Sequence, residues 1–216
     1  MVYLKEHALT YNLDPRKIVA LGTSAGGHLV SLLGTRNGPE SEARVAGVIN
    51  FFGPTILYAE GGTPIYGLLG CNTTADPNTP CHTAALDASP IIHVAANNSA
   101  FLIFHGEHDV TVPVNSSRIF QDRLHSVGAN SNLVIVPEIG HDKDHVACGQ
   151  TDGLVNTEHI YRWINATLSP GAPCDSIVCG GGTIYGDTRD LYNSTDELVS
   201  PYCLNVRAHG SGATEL

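Results

Sequence analysis

Apolar and amphipathic stretches alternate along most of the chain. Short runs rich in β-branched and other apolar residues predict four buried strands, at 17–22, 44–52, 99–105 and 132–139. Apolar positions at helical spacing predict helices at 1–12, from just after residue 24 to about Leu33, at 114–127 and at 153–168. Alternating strands and helices are typical of an α/β fold, in which helices cover both faces of a mostly parallel sheet.

Two segments interrupt this alternation. Residues 53–98 are rich in Gly, Pro, Thr and Asn and have no clear period, which predicts an irregular, lid-like insertion. Residues 169–216 are turn-rich and contain cysteines, which predicts an irregular C-terminal extension. We therefore expect a core at 1–168 that carries one insertion and one tail.

A cramped turn joins the first predicted strand to the helix that follows it, in the sequence KIVALGTSAGGHL. Ser24 lies there between Gly22 and Gly26, in the pattern G-x-S-x-G. In a sharp strand-to-helix turn the serine hydroxyl is lifted clear of the sheet, and the two glycines remove Cβ atoms that would clash. The pattern predicts a nucleophile at Ser24, with a tight glycine turn around an ordinary serine as the alternative.

Candidate partners for this serine follow the third and fourth predicted strands. After the third strand, GEHDVTVP offers Asp109, with Glu107 as an alternative acid. After the fourth, GHDKDH offers His141, with His145 as an alternative; His141 is favoured because it directly follows the strand. A serine hydroxyl needs such a base, itself oriented by an acid, before it can act as a nucleophile.

Three motifs resemble the α/β-hydrolases, in particular the branch that groups bacterial feruloyl and acetyl esterases with the catalytic domains of prolyl oligopeptidases. They are LDPRKIVALGTSAGGHLVSLLG, IFHGEHDVTVPVNSS and VIVPEIGHDKDH, and they occur in the chain order Ser, Asp, His. The resemblance implies that Ser24 is the nucleophile, Asp109 the orienting acid and His141 the general base. It also implies that the backbone N–H of Ala25 contributes to an oxyanion hole.

The resemblance further implies a serine hydrolase that cleaves carboxylic esters through an acyl-enzyme, with no cofactor. Acetyl or feruloyl groups on polysaccharide, or small soluble esters, are the expected substrates. Aromatic residues after the second strand are expected to line the acyl pocket: Phe52, Tyr58 and Tyr66. Core packing is the alternative for the phenylalanine. The alternative functions are a peptidase of the prolyl oligopeptidase type and an inert, hydrolase-like fragment or binding protein.

Other histidines raise the possibility of a metal site. His105 and His108 lie close in sequence to carboxylates and to the acid loop, but no H-E-x-x-H or similar ligand spacing occurs, so we expect no metal. His28 lies one helical turn beyond Ser24, and we expect it to pack in the core.

Charge and composition restrict the partners. The formal net charge of −10 argues against nucleic acid and against anionic membrane surfaces, and no apolar run has the length of a membrane span. The hydrophobic content of 42% is that of a globular chain.

Cysteines and glycosylation sequons favour a secreted protein. The chain has six cysteines and N-x-S/T sequons at Asn72, Asn97, Asn115, Asn165 and Asn193. We expect the disulfide Cys71–Cys81, and then Cys174–Cys179 and Cys148–Cys203 as the favoured remaining pairs, although six cysteines allow 15 connectivities. No signal peptide is visible, so a secreted protein would have its targeting segment upstream of Met1.

The resemblance also implies parts that this sequence does not contain. A complete hydrolase of this type has further strands before the first one here, and an H-G-G-x loop that supplies a second oxyanion donor. We therefore expect the C-terminal part of such a sheet, explained by a truncated sequence, a partner chain or a minimal hydrolase, in that order. The strand before Ser24 would then be an exposed edge through which the chain could form a homo-oligomer.

Overall fold

The computed structural model describes residues 1–60, 62–71, 76–148, 150–151 and 154–169 of the chain. Within these ranges, no helix has the length and apolar character needed to cross a membrane. Outside these ranges lie Cys174, Cys179 and Cys203, two of the five sequons and nearly all of the predicted tail. The disulfides predicted for these cysteines therefore stay predictions, as do the expectations for those sequons and for the tail.

The first of two compact units, Met1–His141, is built on a four-stranded sheet. Its strands are β1 (Val19–Thr23), β2 (Gly47–Phe51), β3 (Ala100–Gly106) and β4 (Ser131–Val136). They lie in the order β1-β2-β3-β4, and each neighbouring pair is parallel. The predicted α/β fold is confirmed, and the carboxyl ends of all four strands meet at one edge of the sheet, where sites form in such folds.

Among the described residues of this unit, one α-helix precedes β1, and five α-helices and one 3₁₀ turn connect the strands. They are α1 (Val2–Glu6), α2 (Ala25–Arg36), α3 (Leu57–Glu60), α4 (Thr63–Leu69), α5 (Pro80–Asp87), the 3₁₀ turn Pro90–His93 and α6 (Val114–Ser126). Helix α2 packs on β1 and β2, and α6 packs on β3 and β4. The helices therefore bury the apolar side chains of the strands between them.

The core of this unit consists of aliphatic and phenylalanine side chains from the strands and from α6. Its fully buried members include Val48, Phe101, Ile103, Phe120 and Leu124. The rings of Phe101 and Phe120 meet edge-on with centroids 5.4 Å apart, which joins β3 to α6. This packing holds β3 firmly, and the loop that follows β3 carries one of the candidate site residues.

Two predictions about helices were wrong. The first helix ends at Glu6 and not at residue 12, because it buries none of its residues and so short a helix is marginal without packing. The insertion at 53–98 is not irregular, since it contains α3, α4, α5 and the 3₁₀ turn. These helices have only four to eight residues, too few for a visible period, and three of them begin with Pro at N1 or N2.

The predicted disulfide between Cys71 and Cys81 is confirmed. The two Cα atoms lie 5.9 Å apart, and the bond ties the end of α4 to the start of α5. Thr79 caps α5, because its hydroxyl oxygen accepts a hydrogen bond from the N–H of His82 (3.2 Å). The disulfide therefore fixes the end of α4 to the start of α5.

The second unit begins at Asp142. Its described elements are α7 (Lys143–Cys148), a short antiparallel pair β5 (Gln150–Thr151) and β6 (Leu154–Val155), and α8 (Asn156–Leu168). The side chain of Asn156, at the start of α8, donates a hydrogen bond to the carbonyl of Val146 in α7 (2.7 Å). The last helix predicted at 153–168 thus begins three residues later than expected.

Candidate active site

Ser24 lies at the corner between β1 and α2 in a strained conformation. Its φ of 51° and ψ of −119° are unusual for a non-glycine residue, and its N–H donates to the carbonyl of Phe51 at 2.9 Å. A Cβ at Gly22 would overlap the backbone of Gly26, so the strand and the helix approach too closely for any side chain there. This is the geometry of a nucleophile elbow, which exposes the serine hydroxyl above the sheet.

The second glycine of the pattern has a different role from the predicted one. A Cβ at Gly26 would have no described atom within 4 Å, so a clash does not explain this glycine. Gly27 is the crowded position: its Cβ would overlap Oδ1 of Asn50 and lie 2.9 Å from Cα of Gly53. The close approach of α2 to the loop after β2 therefore depends on Gly27.

Asp109 follows β3 and is held by the backbone of its own loop. Its Oδ1 accepts hydrogen bonds from the N–H groups of Thr111 (2.8 Å) and Val112 (2.9 Å), and its side chain is fully buried. A buried carboxylate requires such partners, because an unpaired charge away from water is costly. Its second oxygen, Oδ2, is thereby directed toward the loop after β4.

His141 connects this carboxylate to the serine. Its Nδ1 lies 2.7 Å from Oδ2 of Asp109, and its Nε2 lies 2.9 Å from Oγ of Ser24. An ionised carboxylate can only accept, so Nδ1 carries the proton and Nε2 accepts from the serine hydroxyl. The three residues thus form one hydrogen-bonded chain from acid to imidazole to hydroxyl.

Two further side chains contact this chain of hydrogen bonds. His105, fully buried at the end of β3, has its Nε2 3.3 Å from Oδ2 of Asp109. The ring of Phe52 lies 4.4 Å, centroid to centroid, from the imidazole of His141. From the sequence, His105 was only a metal candidate, although a polar residue in a buried strand, four positions before the acid, was an available signal.

The remaining candidates lie elsewhere. Glu107 is exposed beside His108 and Glu138, and the hydrogen bond to His141 goes to Asp109 instead. The side chain of His145 falls outside the part of the chain that the structure describes.

His28 is buried, and its Nε2 lies 2.7 Å from the carbonyl oxygen of Ala88. The predicted core position of His28 is therefore confirmed. Burial lowers its pKa, which keeps the ring neutral.

The aromatic residues predicted to line a pocket have three different environments. Phe52 is only 2% exposed and packs on His141, which leaves little ring surface for a ligand. Tyr58 is half-buried and packs against the hydrophobic core, with His82 at a centroid distance of 6.0 Å. Tyr66 lies half-buried on α4.

Chemically, the arrangement presents the Ser24 hydroxyl in hydrogen-bond contact with His141, which can accept its proton. Ala25 is the first residue of α2, and the first N–H groups of a helix have no acceptor within the helix. An oxyanion formed beside Ser24 would therefore meet a donor and the positive end of the helix dipole.

Residues 1–124 match the BD-FAE family model. The chain is 35% identical over 138 residues to a probable carboxylic ester hydrolase, LipM, of Mycobacterium tuberculosis, covering 59% of this chain and 32% of that protein. It is 30% identical over 148 residues to the esterase LipC of the same organism, covering 61% and 36%.

Two solved structures have a similar fold. The apo form of Thermogutta terrifontis esterase 2 superposes with a TM-score of 0.58 at 26% identity, covering 78% of this chain and 63% of that chain. A truncated carbohydrate esterase from gut microbiota superposes with a TM-score of 0.58 at 23% identity, covering 77% and 65%. The chain thus spans about a third of the length of the two curated relatives, and less than two thirds of the length of the chains in these two structures.

Proposed function

Because the chain belongs to the BD-FAE family, an α/β-hydrolase esterase family, we propose that it hydrolyses carboxylic esters with Ser24 as the nucleophile. The observation that carries the proposal is the continuous hydrogen-bonded chain from Asp109 through His141 to Ser24, at 2.7 and 2.9 Å. A general-base histidine in direct contact with a serine and an acid has few structural uses other than activation of the hydroxyl.

In the proposed reaction, Oγ of Ser24 attacks the ester carbonyl carbon while Nε2 of His141 takes the hydroxyl proton. The imidazolium is stabilised by Asp109, and the N–H of Ala25 donates to the tetrahedral oxyanion. His141 then passes the proton to the leaving alcohol as the C–O bond breaks, which leaves an acyl group on Ser24. Water activated by His141 attacks this acyl-enzyme and releases the acid.

We propose small esters with short acyl groups as the substrate class. Thermogutta terrifontis esterase 2, 25–26% identical to this chain, has been solved with butyrate and with propionate bound. The same protein has been solved phosphorylated by paraoxon, which favours organophosphates as covalent probes of the serine here. Acetyl or feruloyl groups, including those on polysaccharide, are the finer form of the proposal.

The test compares Ser24→Ala with the matched control Ser126→Ala, whose serine is exposed on α6. With p-nitrophenyl acetate and butyrate, we expect Ser24→Ala to lose at least about three orders of magnitude in kcat and Ser126→Ala to match the parent chain. A fluorophosphonate probe should label the parent and the control but not Ser24→Ala. Full hydrolysis by a folded Ser24→Ala would exclude the proposed nucleophile.

A second comparison tests which carboxylate is the acid. Asp109→Asn should lose about four orders of magnitude in kcat, because the amide favours the wrong tautomer of His141. Glu107→Gln changes an exposed group and should stay within about twofold of the parent. Equal losses in both variants would contradict the assignment of Asp109.

We further propose that the protein is secreted. The disulfide Cys71–Cys81 and the exposed sequon residues Asn97, Asn115 and Asn165 support this. Expression through a eukaryotic secretory pathway should yield a glycoprotein whose mobility shifts on enzymatic deglycosylation, and the absence of any shift would count against the proposal.

A further inference from the structure

His105 is a buried histidine whose hydrogen bonds are fully assigned by its neighbours. Its Nε2 lies 2.9 Å from the carbonyl oxygen of Val112, which can only accept, so Nε2 carries the proton. Its Nδ1 lies 2.7 Å from Oγ of Ser117, which must therefore donate. Burial lowers the pKa of His105, so the ring is neutral with this tautomer fixed.

The same N–H of His105 also faces the candidate acid. Its Nε2 lies 3.3 Å from Oδ2 of Asp109, the oxygen that accepts the Nδ1–H of His141. Both side chains of the His105–Asp109 pair are fully buried, so water does not compete for this contact. Oδ2 thus lies close to nitrogens of two imidazoles, and Oδ1 accepts from two backbone N–H groups.

We propose that His105 is a positioning residue that holds Asp109 in the orientation in which its Oδ2 accepts the Nδ1–H of His141. The proposal rests on the proposed function only for its consequences in catalysis. A carboxylate on a two-bond side chain can rotate about its terminal torsion, which is broad. Two backbone N–H donors hold Oδ1, and Nε2 of His105, whose hydrogen bond goes to Val112, lies 3.3 Å from Oδ2 and restricts its movement. The orientation that results is the one that receives His141.

The contact has an electrostatic effect as well. The N–H dipole of His105, with its nitrogen 3.3 Å from Oδ2, partly offsets the negative charge that faces His141, so its removal should stabilise the protonated form of His141. The titratable groups that act on His105 are Asp109 and His141. Loss of the contact should therefore move the acidic limb of the pH–rate profile to higher pH, and loosened geometry should lower kcat by up to about 100-fold.

The experiment uses the full chain with three variants. His105→Phe removes both ring nitrogens but keeps the buried ring, and His105→Gln returns an N–H donor close to the position of Nε2. His28→Phe is the matched control, because His28 is also buried and bonded to a backbone carbonyl, but that carbonyl belongs to Ala88 and the bond does not involve Asp109. For each, the thermal unfolding midpoint, the pH profile of kcat/KM and the downfield proton resonance of the His141 Nδ1–H are measured.

We expect His105→Phe to shift the acidic limb upward and to move or broaden the His141 resonance, and His105→Gln to restore both in part. We expect His28→Phe to lower the unfolding midpoint without a shift of either signal. A folded His105→Phe with an unchanged limb and resonance would overturn the proposal. The resonance is read without substrate, so the two proposals can fail separately. If the parent chain hydrolyses no ester but the His105 variants still show these resonance changes, the proposed function is refuted and the positioning role is retained.

Discussion

The ring of Phe52 lies against the imidazole of His141, with centroids 4.4 Å apart and planes inclined at 54°. Phe52 directly follows β2 and has a positive φ of 42°, which is rare for a bulky residue. Its N–H donates to the carbonyl of Phe104 at 2.7 Å, so the strained backbone is held by the neighbouring strand. Backbone strain of this kind persists only where the surrounding structure enforces it, and here it places an aromatic face beside the candidate base.

This contact predicts the kinetic effect of shortening the side chain. In Phe52→Leu the imidazole of His141 loses a packing surface, so we expect kcat to fall by a similar factor for acetyl, propionyl and butyryl esters. A residue that lined the acyl pocket would instead change KM or the preference among acyl lengths. Steady-state kinetics on the three p-nitrophenyl esters distinguish these results, and a changed acyl preference at constant kcat would restore the pocket interpretation.

The features that could be predicted from the sequence are those that depend on short local patterns. Ser24, Asp109 and His141 each follow an apolar strand, and parallel strands bring their carboxyl ends to one edge, so their meeting in space followed from the fold. The position of His105 in a buried strand, four residues before Asp109, indicated a polar contact there, but its geometry depends on side-chain rotamers inside a packed loop and could not be predicted from the sequence. The helices of the insertion were missed because each has too few turns to show a period.

The glycines after Ser24 give a prediction about stability. Gly27→Ala would force a methyl group into Asn50 and Gly53, and we expect a loss of about 1–3 kcal/mol in the free energy of unfolding. Gly26→Ala places its methyl group in open space on a helix, where alanine is favoured over glycine by up to about 1 kcal/mol. Urea denaturation of the two variants tests this, and equal destabilisation by both would contradict the tight packing of Gly27 against Asn50 and Gly53.

A half-buried carboxyl in the insertion gives a second prediction about stability. Oε1 of Glu60, at the end of α3, accepts a hydrogen bond from the hydroxyl of Ser116 in α6. The same hydroxyl group lies 3.1 Å from Oγ1 of Thr55. Burial raises the pKa of the Glu60 carboxyl above its ordinary value of 4.5, and hydrogen bonds from Ser116 and from the backbone of Ile56 and Thr55 offset only part of this effect.

The sign of the pH dependence follows from this shift. Below pH 4.5 the carboxyl is protonated in both the folded and the unfolded chain, and above it the unfolded chain ionises first, so this group destabilises the fold as pH rises. Glu60→Gln should therefore gain stability relative to the parent between about pH 4 and pH 7. The control Glu40→Gln, at an exposed turn, should show no such trend in urea denaturation. A constant difference between Glu60→Gln and the parent would refute the shift.

The outer edge of the sheet leads to the last prediction. Among the described residues, β1 is an outermost strand, and Leu21 in its middle is 54% exposed. The carbonyl of Ile18 and the N–H of Ser24 both bond to the β2 side. Because alternate peptide groups of a strand point in opposite directions, the N–H of Leu21 points away from β2, to the open edge. An open, apolar edge of this kind pairs readily with another chain.

We therefore expect the chain to self-associate through β1, and Leu21→Pro to reduce the association. Proline removes only the outward N–H at this position, whereas the matched variant Ala20→Pro removes an N–H from the ladder with β2 and should destabilise the fold instead. Light scattering gives the size of each species, and circular dichroism reports whether it is folded. A parent chain that is a monodisperse monomer of 22.8 kDa would contradict pairing through this edge. Association that persists unchanged in a folded Leu21→Pro would contradict it too, because an interface elsewhere on the surface would be indifferent to the loss of this one N–H.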